Sequence, residues 1–384
     1  MRQIKAAFKI LSSLKLTVVC LCCAMVLVVA GTLAQVDQGL YLAQQRYFSS
    51  LFVFWSSKEG GLEIPVFPGG YLIGSVLLLN LIAAHYVRFT FARKKIGIFM
   101  VHVGIILLLL GQLATELFSV ESHMRLTEGE SKSYSENGRS SELVVLDPSD
   151  PTLDDVVAIP EAYLNSNAEI QHPRLPVTLK VRVYHPNSRL SRRAPMMATT
   201  PPPADHGLGQ TIDVAPAPPA VKMDERNLPT AIVELVAPTG SLGTWLVSSV
   251  LEDFQDFQVN GKTFKIGMRF ERHYKPFTLE LQRFTHEKYR GTEIPKNFAS
   301  RVRLKHAQTG EDREVSIYMN NPLRYGGETF YQSGFDDKDP RVTILQVVRN
   351  PTWLTPYLAC TLTGVGLVVQ FLTHLVGFSK RRKS

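Results

Sequence analysis

Four long runs of predominantly apolar residues, Leu14 to Ala34, Gly70 to Val87, Ile96 to Phe118 and Leu354 to Phe378, constrain this chain more than any other feature. A helix crossing a hydrocarbon core of roughly 30 Å needs about 20 such residues. Each run meets or approaches that length, so the sequence predicts four transmembrane helices. The mean hydropathy of +0.01 over 384 residues then reflects an average over two unlike parts, apolar spans and a polar remainder.

Charge at the ends of the runs predicts their orientation, because Lys and Arg in short flanks stay on the cytoplasmic side. Arg2, Lys5, Lys9 and Lys15 lie at the start of the first run, Arg88, Arg93, Lys94 and Lys95 fill the turn between the second and third, and Lys380 to Lys383 follow the fourth. These three clusters fall on one side if every run spans. Both termini are then expected in the cytoplasm, with residues 35–69 and 119–353 on the outer side. The clusters hold 12 of the 42 basic residues, leaving 30 against 34 acids, so the net charge of +8 reads as a topology signal and nucleic acid is excluded as a partner.

The first run is longer than the roughly 7–15 apolar residues of a cleavable signal and reads as a retained anchor. All four cysteines, Cys20, Cys22, Cys23 and Cys360, lie in the apolar runs, residues 119–353 have none, and no CxxCH occurs. Disulfide scaffolding, thiol redox catalysis and covalent CxxCH haem attachment to this chain are excluded on that ground.

The long segment 119–353 alternates with period two. Val177 to Val183, Ala231 to Val236, Thr278 to Leu281, Arg301 to Leu304 and Val342 to Val348 each place aliphatic residues on one face, the pattern of half-buried strands. Asn260-Gly261 between strand-like flanks predicts a hairpin turn. The fold class expected is therefore an α+β membrane protein: four transmembrane helices, with a large β-rich, antiparallel, sandwich- or barrel-like extracytoplasmic domain between the third and the fourth. Within that domain, residues 195–229 contain eight prolines and few aromatics and read as a mobile surface insertion.

Of ten histidines, His85 and His102 stand out because they lie in apolar runs joined by a short basic turn. Antiparallel neighbours of this kind bring both imidazoles toward the turn. An ionisable residue in a membrane helix suggests function by default, and imidazole is a common haem ligand. Position leaves two readings open: ligation, or an interfacial His85 beside Arg88 and a His102 bonded to a neighbouring helix. Gln112 and Glu116 share one face of the third run, as interhelical contacts, a marker of the membrane exit, or a proton relay. His374 reads as interfacial, and His273 and His286 as surface or edge-strand residues. No phosphate loop, nucleophile elbow, HExxH or dinucleotide fingerprint is present, which leaves a metabolic enzyme without machinery.

Several stretches carry a family resemblance: NLIAAHYVRF from Asn80, KKIGIFMVHVGIILLLLGQL from Lys94, VESHMRLTEGES from Val120, HEKYRGTEIPKNFASRVRL from His286, MNNPLRYGGETFYQSGFD from Met319 and ILQVVRNPTWLTPYLAC from Ile344. Over nearly its whole length the chain resembles the ResB (CcsB) family of c-type cytochrome biogenesis proteins. The resemblance implies a multi-pass protein of the bacterial cytoplasmic membrane, embedded in lipid, that works in a cytochrome c synthase complex. It also implies haem b as a transient substrate, a CcsA/ResC-type WWD-motif membrane protein as partner, and apocytochrome c as recipient. Carried onto this sequence, His102 becomes the expected haem-iron ligand and His85 a weaker one, with His286, Asn320 and Asn321 as motif positions of the outer domain. Trp55, Trp245 and Trp353 are dispersed, so the WWD half is expected on another chain. The opposing reading is a scaffold that binds no haem and docks apocytochrome c or stabilises the partner.

Overall fold

The computed structural model describes residues 10–56, 63–88, 95–150, 153–193, 201–220, 225–251, 253–288, 290–291, 295–336 and 338–383. Of the basic clusters, Arg2, Lys5, Lys9, Arg93 and Lys94 lie outside the described residues, as do 195–200 and 221–224 of the proline-rich insertion. The chain divides into two compact units, residues 1–120 with 350–384, and the rest.

Helices α1 (Leu14–Ala43), α2 (Gly70–Arg88), α3 (Ile96–Phe118) and α4 (Thr355–Lys383) form the first unit. All four are long and apolar enough to cross a membrane. Polar residues after Ala34 do not end α1, which runs on to Ala43 through a break at Gly39 (φ 77°) and passes into a π-helical turn, Gln44–Phe48. Strands β1 (Phe52–Ser56) and β2 (Glu63–Pro68) form a short antiparallel hairpin before α2.

Two polar and small-residue devices hold the helices together, as expected where lipid removes the hydrophobic drive between them. The buried side chain of Asn80 in α2 donates to Leu11 O (2.5 Å) and Ser13 O (3.1 Å) and accepts from Thr17 Oγ1 (2.6 Å), which ties α2 to the start of α1. On α3, Gly97, Gly104 and Gly111 recur every seven residues and are buried. A Cβ at Gly97 would stand 2.6 Å from Gly366 O, and one at Gly104 2.8 Å from Ala359 O, so only glycine admits the α4 backbone at this distance. The Thr115 and Thr352 hydroxyls close the far end at 2.8 Å.

The second unit is antiparallel throughout its named strands, in chain order β3 (Val120–Thr127), β4 (Ser131–Asp147), β5 (Asp155–Pro160), β6 (Glu169–Ile170), β7 (Thr178–His185), β8 (Ser188–Arg192), β9 (Ile212–Pro216), β10 (Thr230–Ala237), β11 (Gly240–Ser248), β12 (Gln255–Val259), β13 (Lys262–Lys288), β14 (Pro295–His306), β15 (Glu311–Tyr318), β16 (Leu323–Tyr325), β17 (Glu328–Phe335) and β18 (Val342–Arg349). One sheet runs β11-β10-β7-β6, and a ten-stranded sheet runs β15-β14-β13-β4-β3-β18-β17-β16 with β12 and β5 alongside. The parts before and after the insertion interleave, since β10 pairs with β7 and β13 with β4.

Two apolar cores result. The first packs Leu179, Val181, Val233, Leu235, Trp245 and Val247 of the smaller sheet against Leu143, Val145, Ile266 and Met268, a sandwich. The second gathers Met124, Leu126, Leu279, Leu281, Val302, Leu304, Ile317, Phe330, Leu345 and Val347 inside the curled end of the larger sheet, nearly a barrel. Strand β13 serves both because its pairing with β4 slips twice, after Phe270 and after Tyr274, which bends one 27-residue strand across two cores.

Asn260-Gly261 joins β12 to β13 with φ of 50° and 75°, the positive pair a two-residue hairpin requires. Of the proline-rich insertion 195–229, read as a mobile surface excursion, residues 201–220 and 225–229 are described. Residues 201–220 carry a 3-10 turn, Gly207–Gln210, and β9, which pairs with β8. Ala204 and Gly209 are buried, and Asp205 accepts hydrogen bonds from Thr244 N (2.5 Å) and Thr244 Oγ1 (2.8 Å). Small buried residues and the hydrogen bonds of the exposed Asp205 carboxylate stand in for the missing aromatics.

Candidate functional site

The glycine face of α3 fixes the direction of its other residues. At 100° per residue His102 lies on the side of α3 opposite Gly104, away from α4, and there it meets α2. The rings of His85 and His102 lie 4.9 Å apart, centre to centre, and near perpendicular at 75°. Phe99, one turn earlier on α3, lies 5.7 Å from His85. Both imidazoles are half-buried. The sequence reading that the two histidines meet at the turn end of the α2–α3 pair is therefore met by the structure.

A metal held between two imidazoles on opposite sides needs a bond of about 2 Å to each nitrogen, with the rings set apart across it. Perpendicular rings 4.9 Å apart are not in that arrangement. His102 can thus offer one axial position, with His85 beside it as a neighbour that limits its rotation. Among the described residues no group of three or more His, Cys, Asp or Glu is placed to hold a bare metal ion. All four cysteines are free thiols.

Toward the other end of the same helix pair, Tyr71 Oη donates to Glu116 Oε1 at 3.0 Å, and Ser49 Oγ donates to it at 3.4 Å. Glu116 is thus an interhelical acceptor. Gln112, its neighbour one turn away, lines the same groove.

In the second unit the motif positions separate. His286 lies on β13 and pairs with Phe298 of β14, beyond Glu280, the last β13 residue in register with β4. Its ring packs between Phe298 (4.6 Å) and Phe335 (4.3 Å), and its buried Nε2 has no hydrogen-bond partner among the described residues. His273 likewise has a buried Nε2 without a partner among the described residues. Asn320 and Asn321 form the turn after β15, where Asn320 takes φ 63° and Asn321 N donates to Tyr318 O at 2.9 Å. They shape a turn and do not join His286. The RYGGE stretch is another tight turn, with Gly326 at φ 60° and Gly327 at 77°. Beside it the Lys275 ammonium, 2% exposed, lies 2.7 Å from Glu328 Oε2.

Comparison with known proteins turns on this second unit. Residues 239–343, from the β10–β11 turn to the start of β18, match the ResB-like family. Over those residues the chain is similar to the ResB-like family. A segment of 97 residues is also 35% identical to Protein NrfI of Wolinella succinogenes, covering 25% of this chain and 11% of that relative. The chain therefore spans only a small part of the length of the curated relative it matches. Residues 239–343 hold the His286, Asn320 and RYGGE stretches, whereas the histidine pair of α2 and α3 lies outside them.

Sequence reasoning did not find the Tyr71–Glu116 bond or the Lys275–Glu328 pair. The signal for the first was present: Tyr71 and His85 are 14 residues apart on α2, and His102 and Glu116 are 14 apart on α3.

Proposed function

We propose that this chain is a ResB-family c-type cytochrome biogenesis factor that holds haem b as a transient substrate at His102, for transfer by way of a CcsA/ResC-type partner to apocytochrome c. The observation that carries this reading is the His85–His102 contact, two imidazoles brought together inside a pair of helices built to cross a membrane. An ionisable residue within a membrane helix is costly and points to function, and imidazole binds haem iron through a ring nitrogen. The basic flanks support cytoplasmic termini and a β-rich unit on the outer side. In that topology the histidines lie toward the cytoplasmic face, and haem enters there. This chain supplies a ligand and an apolar seam; bond formation between haem vinyl groups and cysteine thiols takes place on the partner.

The test is co-expression of this chain with a CcsA/ResC-type partner in a host lacking its own maturation system, read as haem-stained cytochrome c. His102→Ala is expected to lower the yield at least tenfold with the protein still present in the membrane. An unchanged yield would sink the ligand assignment.

One observation favours a scaffold reading instead: the family match lies wholly in the β-rich unit. On that reading His102→Ala is silent, and deletion of residues 239–343 abolishes maturation while haem stays with the partner.

A further inference from the structure

The glycine contacts that join α3 to α4 also fix the relative heights of the two helices. A Cβ at Gly97 would meet Gly366 O and Gln370 N, both at 2.6 Å, so the start of α3 lies level with that turn of α4. Gly104 and Gly111 meet Ala359 and Thr355 in turn, so the helices run antiparallel. Beyond Gln370, α4 therefore continues past the start of α3, and its apolar span lasts through Phe378. Those residues add about 12 Å of helix at 1.5 Å per residue. Leu372, Val376 and Phe378 within them are each more than half exposed. On a spanning helix, apolar side chains exposed in this way meet lipid tails.

Along this overhang, α4 and the start of α3 border an open groove of about 1110 Å³. Its wall is apolar, with Ile98 from α3 and Leu372, Val376 and Phe378 from α4. Its polar groups are basic: Lys95 from one side, and His374 and Arg381 from the other, with no acid among the described lining residues. Gln370, His374, Gly377 and Arg381 succeed one another by four, three and four residues, so they form one stripe of α4. Long basic side chains at the end of a membrane helix lay their stems along apolar surface and carry the charge to the interface. An apolar wall ending in cations from two helices complements an amphiphile with an anionic head, and basic pockets between membrane helices take anionic lipid head groups.

We propose that this groove binds one anionic glycerophospholipid, its phosphate held by Lys95 and Arg381 with His374 as a further donor, and an acyl chain laid along Val376, Leu372 and Ile98. The lipid fills the step left by the overhang and clasps α3 to α4 beyond the last of the glycine contacts. The inference needs α3 and α4 to span the membrane and holds whether or not His102 binds haem.

The test is native mass spectrometry of the purified full chain, equilibrated with phosphatidylglycerol and phosphatidylcholine of the same acyl chains. Wild type should retain one phosphatidylglycerol in about tenfold preference to phosphatidylcholine. The double variant Lys95→Gln with Arg381→Gln should lose that preference, whereas Arg382→Gln, which removes the adjacent charge outside the lining, should keep it. Gly377→Trp, at a groove position where a Cβ has nothing within 4 Å, should fill the groove and abolish lipid retention. Added phosphatidylglycerol should raise the melting temperature of wild type and not that of the double variant, and equal melting of the two in lipid-free detergent separates lost binding from lost structure. Equal retention of both lipids by wild type overturns the proposal, leaving only an apolar face. A preference that Arg382→Gln lowers as far as the double variant overturns it in favour of diffuse charge attraction. A retained mass of haem or of a second copy of the chain, removed by Gly377→Trp, overturns it by assigning the groove to that occupant.

Discussion

His85 meets His102 edge to face, with ring centres 4.9 Å apart, on the side of α3 opposite the glycines that pack against α4. This geometry gives the two residues unequal roles. His85→Phe keeps a ring against His102 and Phe99 but removes the second imidazole. In the complex with the partner, His85→Phe should retain axial imidazole ligation and lose no more than about tenfold in haem affinity, or about 1.4 kcal/mol. A spectrum that collapses as fully as that of His102→Ala would show that His85 is itself an axial ligand.

The glycine face makes a second prediction. Gly104→Val places a Cβ 2.8 Å from Ala359 O, so α3 and α4 must separate. Overpacking of this kind costs about 1–3 kcal/mol. The variant should melt earlier in detergent than wild type, whereas Gly364→Val, at a position with nothing within 4 Å, should not. Equal melting of the two variants would remove α3–α4 close packing as the explanation for the heptad glycines.

Lys275 and Glu328 form a buried ion pair beside Phe330, in the turn region of the family-matched segment. Removing one partner strands the other charge, at a cost of about 3–5 kcal/mol. Glu328→Gln should therefore destabilise the β-rich unit strongly in urea unfolding. Replacing both together, Lys275→Met with Glu328→Leu, should recover most of the loss, and a double variant worse than the sum of the singles would contradict this account.

Acid sensitivity should be localised at residues 201–220. Hydrogen bonding from His206, then from Thr244, holds the Asp205 carboxyl down at about 2, below its ordinary value. A depressed folded-state value contributes stability that is present above the unfolded carboxylate range and lost as pH falls through the folded value. Between about pH 4 and pH 2, this segment should become accessible to pepsin, and Asp205→Asn should expose it already at neutral pH. A wild-type segment equally resistant at pH 2 and pH 7 would rule out the carboxylate as its anchor.

The sequence announced the helices and many of the strands because run length and alternation are local signals. Ile96 to Phe118 forms α3 over the same residues, and the alternation from Ala231 to Val236 becomes β10 with Ala231, Val233 and Leu235 buried. The pairing order was not legible, since which face meets which is decided by residues far apart: His286 finds Phe335, and β10 finds β7 across the proline-rich stretch. Strand β13 was read only in pieces because the slips around Phe270 and Tyr274 interrupt its alternation. The end of α1 was missed because Gln35 to Gly39 is polar while still largely helical. At the candidate site, spacing along each helix identified the two histidines, but the contact between Tyr71 and Glu116 needed the antiparallel register of α2 against α3.

The central claim, that His102 holds haem, is tested most directly by the absorbance spectrum of this chain co-purified with a CcsA/ResC-type partner, with and without His102→Ala. The account predicts a Soret band in the wild-type complex that falls by at least half in the variant, with the β-rich unit folded and the partner still bound. A variant complex with the same haem content and the same band position would contradict it.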